Sequence, residues 1–348
     1  MGSKYKTIVL YTLLHFLVDF STVFLLTGLM LGPKTAIAER ANAIILYNLV
    51  AFAGQLPIGI VADSVSNKRF IAALGCLLSA ISYPLMFLMP WLACICCAIG
   101  NGAFHIGAGT EILDMTMPRA GFSGLFVSSG ALGVWLAYLN WNSYIIFICP
   151  VIMLVSSIYL FITKTTQIPK LLPEEMHYRY PSKNVLLAGF CFLITIVLRS
   201  FLGMIMNFPW KSEMLFSFGS VIAVIAGKAA GGFIGDKCGY IKTVAVSLLV
   251  SALTFAFSVR FPLAGIIAIF CFNMTMPLTL TAIAKLSQKK YGMAFGLTTF
   301  ALAIGFIPVV FGASKLFGTA IFSVGSLISL VFIVLGYILS GLRIVLSN

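Results

Sequence analysis

The sequence predicts an all-α integral membrane protein of twelve transmembrane helices, arranged as two bundles of six. Three observations predict it. The 348-residue chain is 61% hydrophobic and only 9% charged, whereas a soluble domain carries about 25% charged residues. Its apolar residues run on for about 20 positions at a time, the length a helix needs to cross a bilayer. One glycine–aspartate pattern also occurs twice, once on each side of a polar stretch near the middle of the chain.

So little polar surface excludes a water-soluble globule. In lipid the backbone must satisfy its own hydrogen bonds, which leaves helices or a closed barrel. Continuous runs, rather than alternation over about 10 residues, select helices. The spans are expected near 8–31, 41–62, 70–89, 91–115, 121–141, 143–163, 185–209, 213–235, 241–259, 262–286, 291–316 and 318–342. Very short junctions, "MPW" at 89–91 and "NWN" at 140–142, make the flanking helices antiparallel neighbours. The first run holds Asp19 and lacks a small-x-small cleavage site, so it reads as a span and not a secretory signal.

Orientation follows from the basic residues. With a cytoplasmic N-terminus, 15 of the 22 lysines and arginines fall inside. Only Lys34, Arg40, Lys211, Arg260 and Lys315 fall outside, and Arg199 and Lys228 lie within spans. That asymmetry is what the positive-inside rule requires. The net charge of +13 thus marks a face turned to anionic membrane lipid, not a nucleic-acid surface. A multi-pass protein of the bacterial inner-membrane type, with both termini cytoplasmic, is expected, and a monomer.

Residues 164–184 contain three prolines and six charges. They read as a cytoplasmic linker between an N-terminal bundle, 1–163, and a C-terminal bundle, 185–348. The glycine–aspartate pattern supports this division. Gly54, Gly59 and Asp63 return as Gly227, Gly232 and Asp236, 173 residues later. Gly124 and Gly133 return as Gly296 and Gly305 at an offset of 172. An internal duplication accounts for both. The small residues let a second helix approach closely. The aspartates sit at the C-terminal ends of their helices, where the macrodipole disfavours an anion. Each needs a partner: the N-terminus of a neighbouring helix, or the basic residues that follow (Lys68 and Arg69; Lys237 and Lys242). A partner that lets go and returns would make a cytoplasmic gate. A static cap is the plainer alternative.

Six plus six spans, with G-x-x-x-D and a basic loop in matching places of the two halves, resemble the major facilitator superfamily over the whole chain. The second copy of the signature loop keeps Gly232, Asp236, Lys237 and Gly239; the first has Ser64 and Ser66 where a basic residue and a glycine are usual. "SSGALGVW" in the fifth span is similar to the family's antiporter motif, with Ala131 and Val134 in place of a proline and a glycine. "LLHFLVDF" and "NGAFHIGAGTE" resemble the fosmidomycin-resistance branch. The resemblance implies alternating access, with two bundles rocking about a central cavity near the midplane.

Polar groups inside spans are then the functional candidates, because ionisable residues are costly there. Asp19 lies about 16 Å into the first span at 1.5 Å per residue, with His15 one turn away on the same face. In the fourth span Asn101 and His105 share a face, and Glu111 points about 120° away. Asp19, His15, Glu111 and His105 are the expected proton-coupling residues; a structural hydrogen bond is the alternative for each. The other half carries bases. Arg199 and Lys228 bracket the midplane, and with Asn101 and Gln55 (Gln55 at the place corresponding to Lys228) they are the expected substrate-binding residues. The bases could simply neutralise the membrane acids, or they could hold a small anionic organic solute; a neutral or cationic drug-like solute is the alternative. No cofactor and no metal site are expected; "CICC" at 94–97 lacks zinc spacing. No phosphate-binding loop and no recognisable catalytic nucleophile occur, which favours a proton-coupled secondary transporter over a membrane enzyme or a non-transporting sensor. A cysteine at position 175, replacing Glu175 in the linker, should resist a membrane-impermeant thiol reagent in intact cells and react once the cells are opened.

Overall fold

A computed structural model describes residues 3–30, 37–139, 144–163, 184–313 and 318–342. Every regular element among them is helical. The linker expected at 164–184 lies outside the described residues except for Asn184, as does the "NWN" junction.

In chain order the helices are α1 (Ser3–Phe24), α2 (Ile37–Asn48), α3 (Gln55–Ser64), α4 (Lys68–Leu88), α5 (Pro90–Thr116), α6 (Gly121–Ser128), α7 (Gly130–Ala137), α8 (Ile145–Ile162), α9 (Val185–Ile205), α10 (Met214–Cys238), α11 (Tyr240–Phe255), α12 (Pro262–Asn273), α13 (Thr275–Leu286), α14 (Tyr291–Val310) and α15 (Ala320–Ser340). Ten helical stretches among the described residues are long and apolar enough to cross a membrane. Two shorter apolar ones, Gly121–Ala137 and Tyr240–Phe255, stand where the fifth and ninth spans are expected.

Four expected spans depart from a straight α-helix, the first by passing from α1 into a π-helical stretch at Leu25–Met30. The second contains a π-helical turn, Leu49–Ala53, between α2 and α3. The fifth breaks at Ser129 and the tenth at Met274. Proline and glycine set several ends. Pro90 and Pro262 open α5 and α12, where a missing N–H costs nothing. Gly239 and Gly341 close α10 and α15 at φ of 92° and 64°, a region that suits glycine.

Apolar side chains on the outer faces are exposed, among them Phe87, Leu88, Phe147 and Leu186. In water so much exposed apolar surface would drive association; against lipid chains it is matched. Between helices the glue is small residues and hydroxyls, as expected where lipid removes the hydrophobic drive for association. Ser157 of α8 donates to the Ala73 carbonyl of α4 at 2.8 Å, and Tyr83 of α4 to the Ser21 carbonyl of α1 at 2.8 Å.

The chain forms two compact units. The first comprises Met1–Met115, Ser129–Pro169 and Lys290–Phe300; the second comprises Thr116–Ser128, Lys170–Lys289 and Ala301–Asn348. The units follow the halves of the sequence with one exchange. Residues 116–128, carrying α6, go with the second half, and residues 290–300, the start of α14, go with the first. In the first unit α3 meets the start of α14 backbone to backbone. A Cβ on Gly59 would stand 2.1 Å from the Gly292 carbonyl oxygen. Gly59→Leu should therefore lower the thermal midpoint of the detergent-solubilised protein, by the ~1–3 kcal/mol typical of overpacking, while Leu56→Ala, on the neighbouring turn, should cost less.

Candidate functional site

The repeated aspartates are bonded in the same way. In the first unit the backbone N–H groups of Gly292 and Met293 donate to Asp63 Oδ1 and Oδ2 at 2.7 and 2.9 Å. In the second unit the N–H groups of Ala120 and Gly121 donate to Asp236 Oδ1 and Oδ2, both at 2.8 Å. Each carboxylate thus sits on the first free N–H groups of another helix, α14 or α6, which the positive end of that helix's dipole favours. Of the two partners open to these aspartates from the sequence, the helix N-terminus is the one found. Tyr240 adds a hydroxyl donor to Asp236 Oδ1 at 2.8 Å. Gly232 plays the part of Gly59: a Cβ there would lie 2.5 Å from the Ala120 carbonyl oxygen. Lys68 turns instead to the carbonyls of Ala62 and Val65 at the end of α3. Lys237 and Lys242 are exposed, and Arg69 is engaged elsewhere.

Arg69 Nη2 lies 3.3 Å from Glu111 Oε1, both side chains buried. The Tyr11 hydroxyl donates to the other Glu111 oxygen. Arg69 Nη1 also donates to the Thr163 hydroxyl and carbonyl at 3.2 and 3.5 Å. Glu111 therefore sits in its own ion-paired group, joined by Tyr11, which the sequence reading did not single out.

One turn further along α1 is a second group. Asp19 Oδ2 lies 3.2 Å from His15 Nε2, and Asp19 Oδ1 lies 3.6 Å from His105 Nε2. The two histidine Nε2 atoms are 2.7 Å apart. Asn101 Nδ2 donates to Asp19 Oδ1 at 2.9 Å and to the Thr22 hydroxyl at 3.1 Å, and the Tyr47 hydroxyl donates to Thr22 behind it at 2.9 Å. His105 Nδ1 is 2.8 Å from the Asn101 carbonyl oxygen. A carbonyl only accepts, so Nδ1 carries a proton, and in the neutral ring Nε2 offers a lone pair to the group. The donor atoms of His15, Asp19 and His105 all lie within 4.8 Å of one another, the one grouping of metal-ligating side chains found among the described residues. Asn101, expected at a substrate site, belongs here. Gly130 backs the cluster: a Cβ on it would stand 2.1 Å from Asp19 Oδ2 and 2.7 Å from His15 Nε2.

The expected substrate residues of the second unit lie on α9 and α10. Arg199 Nη1 donates to the Thr279 hydroxyl of α13 at 3.3 Å. No carboxylate among the described residues lies within 4.0 Å of it. Lys228 Nζ donates to the Val127 carbonyl of α6 at 3.2 Å. In the first unit Gln55, buried, donates to the Ala51 carbonyl at 2.8 Å, while its Oε1 has no partner. Tyr11, Thr22, Gly130 and Thr279 complete these groups and were missed. For Tyr11 a signal existed, since Tyr11, His15 and Asp19 recur every four residues on one face of α1.

The chain is matched over residues 8–309 by the family model of the Major Facilitator Superfamily. It belongs to that superfamily, and so to a family of multi-pass membrane transporters and not of enzymes. Solved structures of the same fold include the E. coli fucose:proton symporter FucP (TM-score 0.62, 16% identity, 96% of this chain and 99% of that one). They also include the human organic anion transporter MFSD10 (0.70, 14%, 97% and 100%) and a bacterial homologue of the iron transporter ferroportin in an outward-facing state (0.60, 14%, 97% and 98%). No curated protein matches the sequence.

Asp63→Ala and Asp236→Ala each remove two charge-assisted bonds from a helix start. Each should destabilise the folded protein by about 1.5–3 kcal/mol, read as a fall in the midpoint of thermal unfolding, with the asparagine variants in between.

Proposed function

We propose that the protein is a secondary active transporter that carries a small organic anion by alternating access between two six-helix halves, driven by a proton gradient. Arg199 carries this reading. A cation within a membrane span is costly without a counter-charge. Elsewhere, Arg69 at the start of α4 has Glu111, and Asp19 within α1 has two imidazoles. Arg199 has a neutral hydroxyl. An anionic solute would supply the missing charge, with the guanidinium offering a planar fork to a carboxylate, phosphate or phosphonate and Lys228 adding a point charge. A cationic solute would face repulsion at the same place.

Glu111 is the group assigned to the coupling proton. Its ion pair is one that can open, because Arg69 already has second acceptors in Thr163. When the arginine moves to them, the carboxyl can take a proton in place of the pair; when it returns, the proton is expelled. The likeness to FucP and MFSD10 supports a transporter fold and does not extend to what those proteins carry. The orientation drawn from the basic residues, with both termini cytoplasmic, completes the proposal.

The test is flux in proteoliposomes. Arg199→Lys should weaken binding of the solute about tenfold, the ~1.4 kcal/mol of one charge-assisted bond, since the charge stays and the fork is lost. Glu111→Gln should abolish accumulation driven by an imposed pH gradient and spare solute exchange. Should the purified protein bind only cations, or bind anions equally well with Arg199 and Lys228 both changed to Gln, the anion reading is wrong.

A further inference from the structure

We propose that His15, Asp19 and His105 form a binding site for one divalent first-row transition-metal ion. The inference is independent of Arg199 and of the charge of the transported solute.

Three features of the cluster point to a ligand set. The first is convergence. Two imidazole nitrogens and a carboxylate from two helices, α1 and α5, meet at separations of 2.7, 3.2 and 3.6 Å. Metal bonds of about 2.0–2.2 Å place neighbouring ligand atoms roughly 3 to 3.5 Å apart; the two nitrogens would part by a few tenths of an ångström, and the carboxylate, which meets His15 through Oδ2 and His105 through Oδ1, would turn slightly or bind through both oxygens. The second is the orientation of His105. Its Nδ1–H is spent on the Asn101 carbonyl, which fixes the ring and leaves the Nε2 lone pair facing the other donors. A ligating histidine ordinarily gives its second N–H to such a carbonyl. Asn101 acts twice, because its amide also holds Asp19 Oδ1. The third is the cradle. The position where a methyl group on Gly130 would stand lies within 2.7 Å of both Asp19 Oδ2 and His15 Nε2. Only glycine lets the backbone at the start of α7 come this close to both donors.

The donor set names the class of ion. Two imidazoles and one carboxylate suit zinc, cobalt, nickel, iron(II) or manganese; calcium and magnesium prefer all-oxygen sites. Charge agrees, since one carboxylate offsets half of a divalent cation and the neutral imidazoles do not oppose it. Access is open in part: the Asp19 and His105 side chains are 15% and 13% exposed, while His15 is 5%.

The experiment uses the full-length protein in nanodiscs, stripped with chelator and with any affinity tag removed. Zn2+ and Co2+ are titrated by calorimetry, and Co2+ also by its visible absorption. One ion per chain is expected. Affinity should fall at least a hundredfold in His105→Gln and Asp19→Asn. It should fall about ten- to a hundredfold in Asn101→Ala, the range for loss of a supporting hydrogen bond, and also in Gly130→Ala. Each variant is first checked for an unchanged unfolding midpoint. Wild-type protein loaded with Cu2+ gives a readout that needs no variant: its electron paramagnetic resonance spectrum should show coupling to two imidazole nitrogens. Absence of a one-to-one site, binding that survives loss of His105 and Asp19, or a spectrum of cysteine sulfur ligation would each overturn the proposal.

Discussion

A charge set among apolar helices must be given something to face, and most of the polar architecture here follows from that. Asp63 and Asp236 face bare backbone N–H groups. Glu111 faces Arg69, and Asp19 faces two histidines and an amide. Each solution ties together helices that are distant in sequence, so satisfying the charge also fixes the packing. The same requirement explains why glycines stand at 59, 232 and 130. A side chain at any of them would hold the charged group off its partner. Electrostatics and close packing are one constraint seen from two sides.

The helices and their approximate ends were legible in the sequence, because apolar run length is a local property. Interruptions at Ser129 and Met274 were not. Neither "SSGAL" nor "NMTMP" distinguishes a break from a tolerated irregularity, and what occupies the space beside the break is set by other helices. The short α11 illustrates the same limit: its sequence stays apolar beyond Phe255, yet the helix ends there in a series of turns.

The polar residues of the site were legible one helix at a time, and their groupings were not. Helical geometry put His15 with Asp19 and Asn101 with His105, and turned Glu111 away from them. It could not bring α1 and α5 together. Read alone, Asp19 is a solitary acid and Asn101 a free amide. Assembled, both belong to one four-residue cluster. Arg69 shows the reverse: its place in a basic loop suggested a partner in Asp63, while the fold sends it to Glu111. Long side chains at helix ends can reach several acceptors, and only the three-dimensional arrangement chooses among them.

The exchange of short segments between the two halves has a meaning of its own. Asp63 binds a helix start 229 and 230 residues away, and Asp236 binds one 116 and 115 residues away, in the opposite direction along the chain. Either half of the chain by itself would possess an aspartate without its amides and amides without their aspartate. Two copies of that half would each supply what the other lacks, residue i meeting j and j meeting i, which is the reciprocity of a two-fold dimer. Within one chain, the two sets of bonds show the reciprocity that a symmetric pair of subunits would show.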